Sequence, residues 1–168
     1  DQPGVPDDQY GIANEKGYYF NTNGFINYIR TGFPHDLIVQ GRKAALDKTT
    51  PVEANTIGMF GYFAGPEIYI IDTYALADPL RAHLPINGPS RIGHYERSTP
   101  AGYRETINSG FKENQIEDSN LNIYFEKLSI LVRGDLFAHG RIREIIRFNT
   151  GYYDHLVEKY WLSYLASQ

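Results

Sequence analysis

Apolar residues recur every three to four positions through the last third of the chain. Leu121, Tyr124, Phe125, Leu128, Leu131 and Val132 form one such stripe, which predicts a helix from Ser119 to a stop at Gly134. A second helix is predicted from Arg141 to Phe148, with Ile142, Ile145 and Ile146 inward and three arginines outward. A third runs from Tyr152 to Leu165, where Tyr153, Leu156, Val157, Tyr160, Trp161, Tyr164 and Leu165 keep the helical spacing of a core stripe. Upstream the pattern changes. Ile57 to Ala64 and Glu67 to Asp72 are short apolar runs rich in β-branched and aromatic residues, split by Gly65-Pro66, and they predict two strands joined by a tight turn. Asp72 or Thr73 is then placed to cap a short helix through Ala77, and Asp78-Pro79 to open a helical turn running to Leu84. The first fifty residues are punctuated by Pro and Gly. There, Phe25 to Arg30 predicts one or two helical turns capped by Thr22 or Asn23, and Leu37 to Val39 a short strand. The sum is an α+β (or α/β) fold: a small central sheet around residues 57–72 with a helical C-terminal third packed on it, in a single domain spanning 1–168.

Composition narrows the partners. A chain of 168 residues can bury a sizeable core without disulfides or metal staples. With 14 Tyr and 9 Phe against one Met it is unusually aromatic, and tyrosine suits faces that are half buried and half wet, such as those that meet sugars, peptides or membrane interfaces. Sixteen basic and 20 acidic residues give a net charge of −4 with no basic field, which argues against nucleic acid as a partner. Cysteine is absent, so disulfides, thiol nucleophiles and Cys-zinc sites are excluded, and an extracytoplasmic bacterial location is compatible with that absence. The apolar runs Met59 to Ala64 and Ile68 to Ile71 fall far short of the ~18 residues a membrane helix needs. The Gly61/Gly65 spacing within them reads as local backbone packing. The start at Asp1, without an n-region or h-region, suggests that any signal or anchor lies outside this sequence and that the chain is a fragment of a larger membrane protein.

The candidate chemistry clusters where the central apolar runs end. No G-x-S-x-G elbow and no G-x-G-x-x-G between strand and helix is present, so a serine hydrolase and a dinucleotide site have little support. Asp72, Asp78, His83 and His94 lack metal-site spacing, and neither a metal nor a cofactor is expected. Asp72 and Asp78 are close enough in sequence to share one pocket as acceptors or as an acid/base pair, and each is equally placed to cap a helix. Arg91, His94 and Arg97 recur at three-residue intervals, a spacing from which guanidinium and imidazole groups can converge on a carboxylate or phosphate. The alternative is a lock in which Arg91 or Arg97 bonds Asp72 or Asp78. Tyr103 completes the polar set.

The run GYFAGPEIYIIDTYALADPLRAHLP, followed by RIGHYERSTPAGYRETI and later by RFNTGYY, resembles the soluble C-terminal region of membrane glycosyltransferases of the GT-C type. The likeness is to the mycobacterial terminal β-(1→2)-arabinofuranosyltransferase and its uncharacterised bacterial relatives, and it covers roughly Ile57 to Tyr153. Asp72, Asp78, Pro79, Leu80, Arg91, Gly93, His94, Arg97, Pro100, Gly102 and Tyr103 fit the family's wording, whereas Arg81 stands where a leucine-like residue is usual. The resemblance implies a polyprenyl-phosphate-linked sugar donor held by a multi-helix membrane half that also carries the catalytic aspartate. It implies a soluble region on the extracytoplasmic (periplasmic) face of the bacterial inner membrane, with no catalytic residue of its own. In that role Asp72, Asp78 and Tyr103 are expected to hydrogen-bond glycan hydroxyls, and Arg91, His94 and Arg97 to meet phosphate, carboxylate or the membrane half. The expected partners are therefore a glycan acceptor or lipid-linked sugar and the transmembrane half of the same protein. Two other readings stay open: a stand-alone carbohydrate-active hydrolase using Asp72 and Asp78, and a structural or interaction module without a ligand.

Overall fold

The computed structural model describes residues 14, 17, 19, 20, 22, 25–32, 35–55, 57–90 and 92–166. The fold is α+β, with a small two-stranded sheet and a helical C-terminal part. The chain divides into two compact units, one comprising residues up to Leu76 together with Gly88–Glu96, the other Ala77–Asn87 together with Arg97 onward.

In the first unit, α1 spans Phe25–Thr31 and α2 spans Asp36–Asp47. The predicted helical turns at Phe25 are thus present, while Asn23, one of their two suggested caps, lies outside the described residues. Leu37 to Val39, read above as a strand, is the first turn of α2. His35 caps that turn, its Nδ1 accepting from the Leu37 amide at 3.2 Å, and Ile38, Gly41 and Ala44 form the buried stripe. Three apolar residues in a row carry no period, and the cap decides the matter.

The larger correction concerns Ile57–Ala64, which is helix α3 and not a strand. Phe60 and Ala64, one turn apart, are buried, while Tyr62 on the opposite side is 82% exposed. The reason is close packing. The Cα of Gly41 on α2 lies so near the Phe60 carbonyl that any Cβ would collide with it, and Ala44, Phe60, Ala64 and Ile68 close into one cluster. Gly65, at φ +79°, ends the helix. The sheet is then made by β1, Val52–Ala54, and β2, Ile70–Asp72, paired in parallel with Val52 opposite Ile70 and Ala54 opposite Asp72. Parallel neighbours need a crossover, and α3 supplies it. Beyond β2 the expected helix to Ala77 is replaced by a turn in which the Asp72 side chain accepts from the Tyr74 amide at 3.0 Å and Ala75 takes φ +56°.

The second unit holds a 3-10 turn at Arg81–His83, then α4 (Tyr103–Asn108), α5 (Ser119–Val132), α6 (Arg141–Asn149) and α7 (Asp154–Ala166). All three C-terminal helices form where the three-four spacing places them. Asp118 caps α5 through the Leu121 amide at 2.8 Å, and Leu121, Tyr124, Phe125 and Leu128 bury the expected stripe. Edge-to-face contacts of Tyr103 with Phe125 and of Tyr124 with Phe148 knit the aromatic core.

Helix α6 is turned the other way from the expectation. Ile142, Ile145 and Ile146 are exposed, and the residue it buries is Glu144. The Tyr153 hydroxyl donates to Glu144 Oε2 at 2.5 Å and Arg147 reaches Oε1 at 3.0 Å. A carboxylate with a hydroxyl and a guanidinium waiting for it is a better fit to this site than isoleucine. The Tyr153 bond, helped by Arg147 and Arg143, holds the Glu144 carboxyl below its usual 4.5 against the effect of burial. A depressed folded-state value contributes stability above pH 4.5 that is lost as pH falls through that value. Glu144→Gln should therefore be less stable than the parent at pH 7 and should show a flatter acid limb in urea midpoints measured from pH 7 to 3. An unchanged acid limb would refute the assignment.

Candidate functional site

The polar residues singled out in the sequence sit in two different settings. In the first unit, Asp72 ends β2 and is buried, its carboxylate turned back onto the Tyr74 amide. The Tyr74 ring meets His94 edge-on at 4.8 Å, and His94 Nδ1 lies 3.3 Å from the Ile92 carbonyl. His94 is half-buried. Arg91 lies outside the described residues.

In the second unit, Asp78 is the hub of an enclosed network. Its Oδ1 accepts from the amides of Leu80 at 3.1 Å and Arg81 at 2.8 Å, so the predicted capping of the 3-10 turn is present. The same oxygen accepts from the Tyr103 hydroxyl at 3.1 Å. Asp78 is 1% exposed and Tyr103 is fully enclosed. Instead of reaching glycan hydroxyls, these two side chains bond each other inside the unit, while Asp78 Oδ2 is buried without a hydrogen-bond partner. Burial pushes the Asp78 carboxyl above its usual range, although the Arg81 amide, the Tyr103 hydroxyl and the Arg81 charge pull the other way. Arg81, at the position where the resembled family has an apolar residue, is itself buried and donates to the Arg97 carbonyl. Arg97 in turn donates from Nε to the Leu84 carbonyl at 2.7 Å. Through this bond Arg97 binds main chain and closes the loop onto the 3-10 turn.

Open space lies elsewhere in the same unit. A pocket of about 220 Å³ is lined by His83, Pro85, Tyr124, Asp154, Val157, Glu158 and Trp161. Four of these residues, Asp154, Val157, Glu158 and Trp161, are spaced i, i+3, i+4 and i+7, so α7 presents them on a single face. The indole of Trp161 is held from behind: Tyr164 stacks on it at 5.5 Å, the Tyr164 hydroxyl bonds Ser98 Oγ at 3.0 Å, and Asn87 donates to the same Oγ at 2.8 Å. His83 meets the Tyr124 ring at 5.8 Å. Partial burial pulls the His83 imidazole below its usual 6.5 while Asp154 pulls it up, so at neutral pH the ring is uncharged and can donate from one nitrogen and accept at the other.

The arrangement is a shallow trough with an aromatic plane on one side, two exposed carboxylates on the rim and a neutral imidazole across from them. Among the described residues no group of three or more His, Asp or Glu is placed to hold a metal ion, and no helix is long and apolar enough to cross a membrane. The sequence reading took Val157 and Trp161 as core stripe and passed over Asp154 and Glu158. The signal that could have found them is that the two acids share the Val157/Trp161 face, which a core stripe does not tolerate. Comparison of the chain with protein-family models, with curated proteins and with solved structures finds no match.

Proposed function

We propose that the chain is an extracytoplasmic domain of a polyprenyl-phosphate-sugar-dependent membrane glycosyltransferase of the GT-C type, and that it contributes acceptor-glycan recognition in cell-envelope polysaccharide assembly. The motif resemblance from Ile57 to Tyr153 motivates the class. The observation that carries the recognition role is the pocket of the second unit, where Trp161 stands beside Asp154 and Glu158. A pyranose or furanose ring offers C–H groups to an aromatic plane and hydroxyl donors to carboxylates, and this site provides both at once. The glycan contact is thereby assigned to Trp161, Asp154, Glu158 and His83, with Asp78, Tyr103, Arg81 and Arg97 holding the loop that carries His83. Chemistry belongs to the membrane half, so the isolated domain is expected to yield no product from a polyprenyl-phosphate sugar and an acceptor.

Trp161 is the sole tryptophan, which makes its fluorescence a direct report on the pocket. Titration with a panel of envelope oligosaccharides is expected to shift or quench that emission saturably, and Glu158→Gln to weaken binding by about tenfold, the equivalent of one lost hydrogen bond to a charged group. If no oligosaccharide moves the signal, the recognition role fails. The interaction-module reading would then gain, since the Asp78–Tyr103–Arg81–Arg97 network needs no ligand to account for it. The hydrolase reading draws no support from the geometry, because both Asp72 and Asp78 are shut away from solvent.

A further inference from the structure

Helix α6 exposes what helices in water normally hide. Ile142, Ile145 and Ile146 recur at i, i+3 and i+4 and form one exposed face, Ile142 at 74% exposure, while Glu144, Arg147 and Phe148 turn toward the interior of the unit. The turn before the helix adds Leu136 and Phe137, the latter 94% exposed. That turn is not a loose appendage. The Arg141 guanidinium, on the first residue of α6, donates to the carbonyls of Leu131 at 2.7 Å and Gly134 at 2.6 Å, with a longer bond to Asp135, and so fastens the end of α5 and the turn to the start of α6. Apolar side chains of this size held in water by a fixed backbone mark an interaction surface.

Charge identifies the occupant. From Arg133 to Arg147 the chain carries four arginines against Asp135 and Glu144, a local balance of +2 within a chain whose formal net charge is −4. The Glu144 carboxylate faces inward onto Tyr153 and Arg147, with Arg143 Nε also 3.4 Å away, and it offsets one of the four arginine charges. Arg143, at the flank of the isoleucine face, has a side chain 67% exposed, and Arg133 is exposed as well. A second copy of the chain laid face to face would set arginine against arginine. An anionic lipid surface would instead accept the apolar tips among its acyl chains and the guanidiniums among its headgroups. A nine-residue helix, about 13 Å long, cannot span a bilayer but can lie in its plane.

We propose that α6 and the Leu136–Phe137 turn form a docking face for an anionic membrane surface, independent of the glycan pocket on α7. The test is co-sedimentation of the whole chain with vesicles of phosphatidylcholine alone and of phosphatidylcholine containing roughly a third phosphatidylglycerol, at low and high salt. Binding is expected to the anionic vesicles, about tenfold weaker on neutral ones or in high salt. Ile142→Asp with Ile146→Asp should abolish it, with helical circular dichroism unchanged because both positions are on the surface. Phe137→Ser should weaken it, and Arg143→Glu should reduce the preference for anionic lipid. Equal binding to both vesicle types, no binding to either, or retention by the Ile142→Asp/Ile146→Asp chain would overturn the proposal. So would a dimer, seen by light scattering, that those same substitutions dissociate, since the face would then be a self-interface.

Discussion

Gly102→Ala is expected to cost about 4 kcal/mol of unfolding free energy, a large part of the roughly 5–15 kcal/mol by which an ordinary domain is stable. Gly102 precedes α4 with φ +80°, a conformation in which an L side chain pays about 1–2 kcal/mol. The heavier cost is steric. A Cβ at this position would overlap the carbonyl of Gln115, and the atom in the way is main chain that cannot step aside without moving the segment ahead of α5. That segment is held on its own account, because the Gln115 amide donates to Thr106 Oγ1 at 2.8 Å and the Glu117 amide to the Ala101 carbonyl at 3.1 Å. Gly140→Ala is the internal control. Gly140 caps α6 at φ +86° but has only the flexible end of Arg143 nearby, so its substitution should cost only the backbone strain, about 1–2 kcal/mol. Urea unfolding followed by Trp161 emission separates the two. Equal losses at the two glycines would show that conformation, and not close approach, governs Gly102.

The second large effect is expected at Asp78, where Ala and Asn should part company. Asp78→Ala strips an acceptor from the Leu80 amide, the Arg81 amide and the Tyr103 hydroxyl, all buried, and should lower stability by about 3 kcal/mol, near 1 kcal/mol for each orphaned donor. Asp78→Asn keeps an oxygen for those donors and sheds a charge that burial disfavours. The pH dependence gives the sign. Because the folded-state value is raised above 3.8, the wild-type contribution is fully present below that pH and declines as pH rises through the folded value. The Asn form lacks that decline, so its stability relative to wild type should improve from pH 4 upward. If Asp78→Asn is as damaging as Asp78→Ala at every pH, the carboxylate charge itself is needed, as a partner for the Arg81 charge.

Legibility varied with the length of the repeating pattern. Helices α5, α6 and α7 run nine to fourteen residues, long enough for the apolar period to state their type without ambiguity. Ile57–Ala64 is only eight residues long and nearly all apolar, so its composition fits a strand as well as a helix. Gly41 settled it by letting α3 lie against α2, a contact between residues nineteen apart in sequence. The two strands of three residues each were too short to announce themselves, and β1 gave no signal at all. Asp78 was legible as a cap because capping is local, reaching two and three residues ahead. Its bond to Tyr103, twenty-five residues on, was not.

Sequence alone determined a mixed α and β chain, the three C-terminal helices, the capping at Asp78 and the absence of cysteine chemistry, because each of these depends on residue identity or on neighbours within a turn or two. Tertiary structure decided which face of α6 meets water, that Asp78 and Tyr103 bond each other in the interior, and that a pocket gathers around Trp161. Those outcomes depend on burial and on partners distant in the chain. A helical period states that a helix has two faces; only the groups waiting across the core, here Tyr153 reaching for Glu144, determine which of the two turns inward.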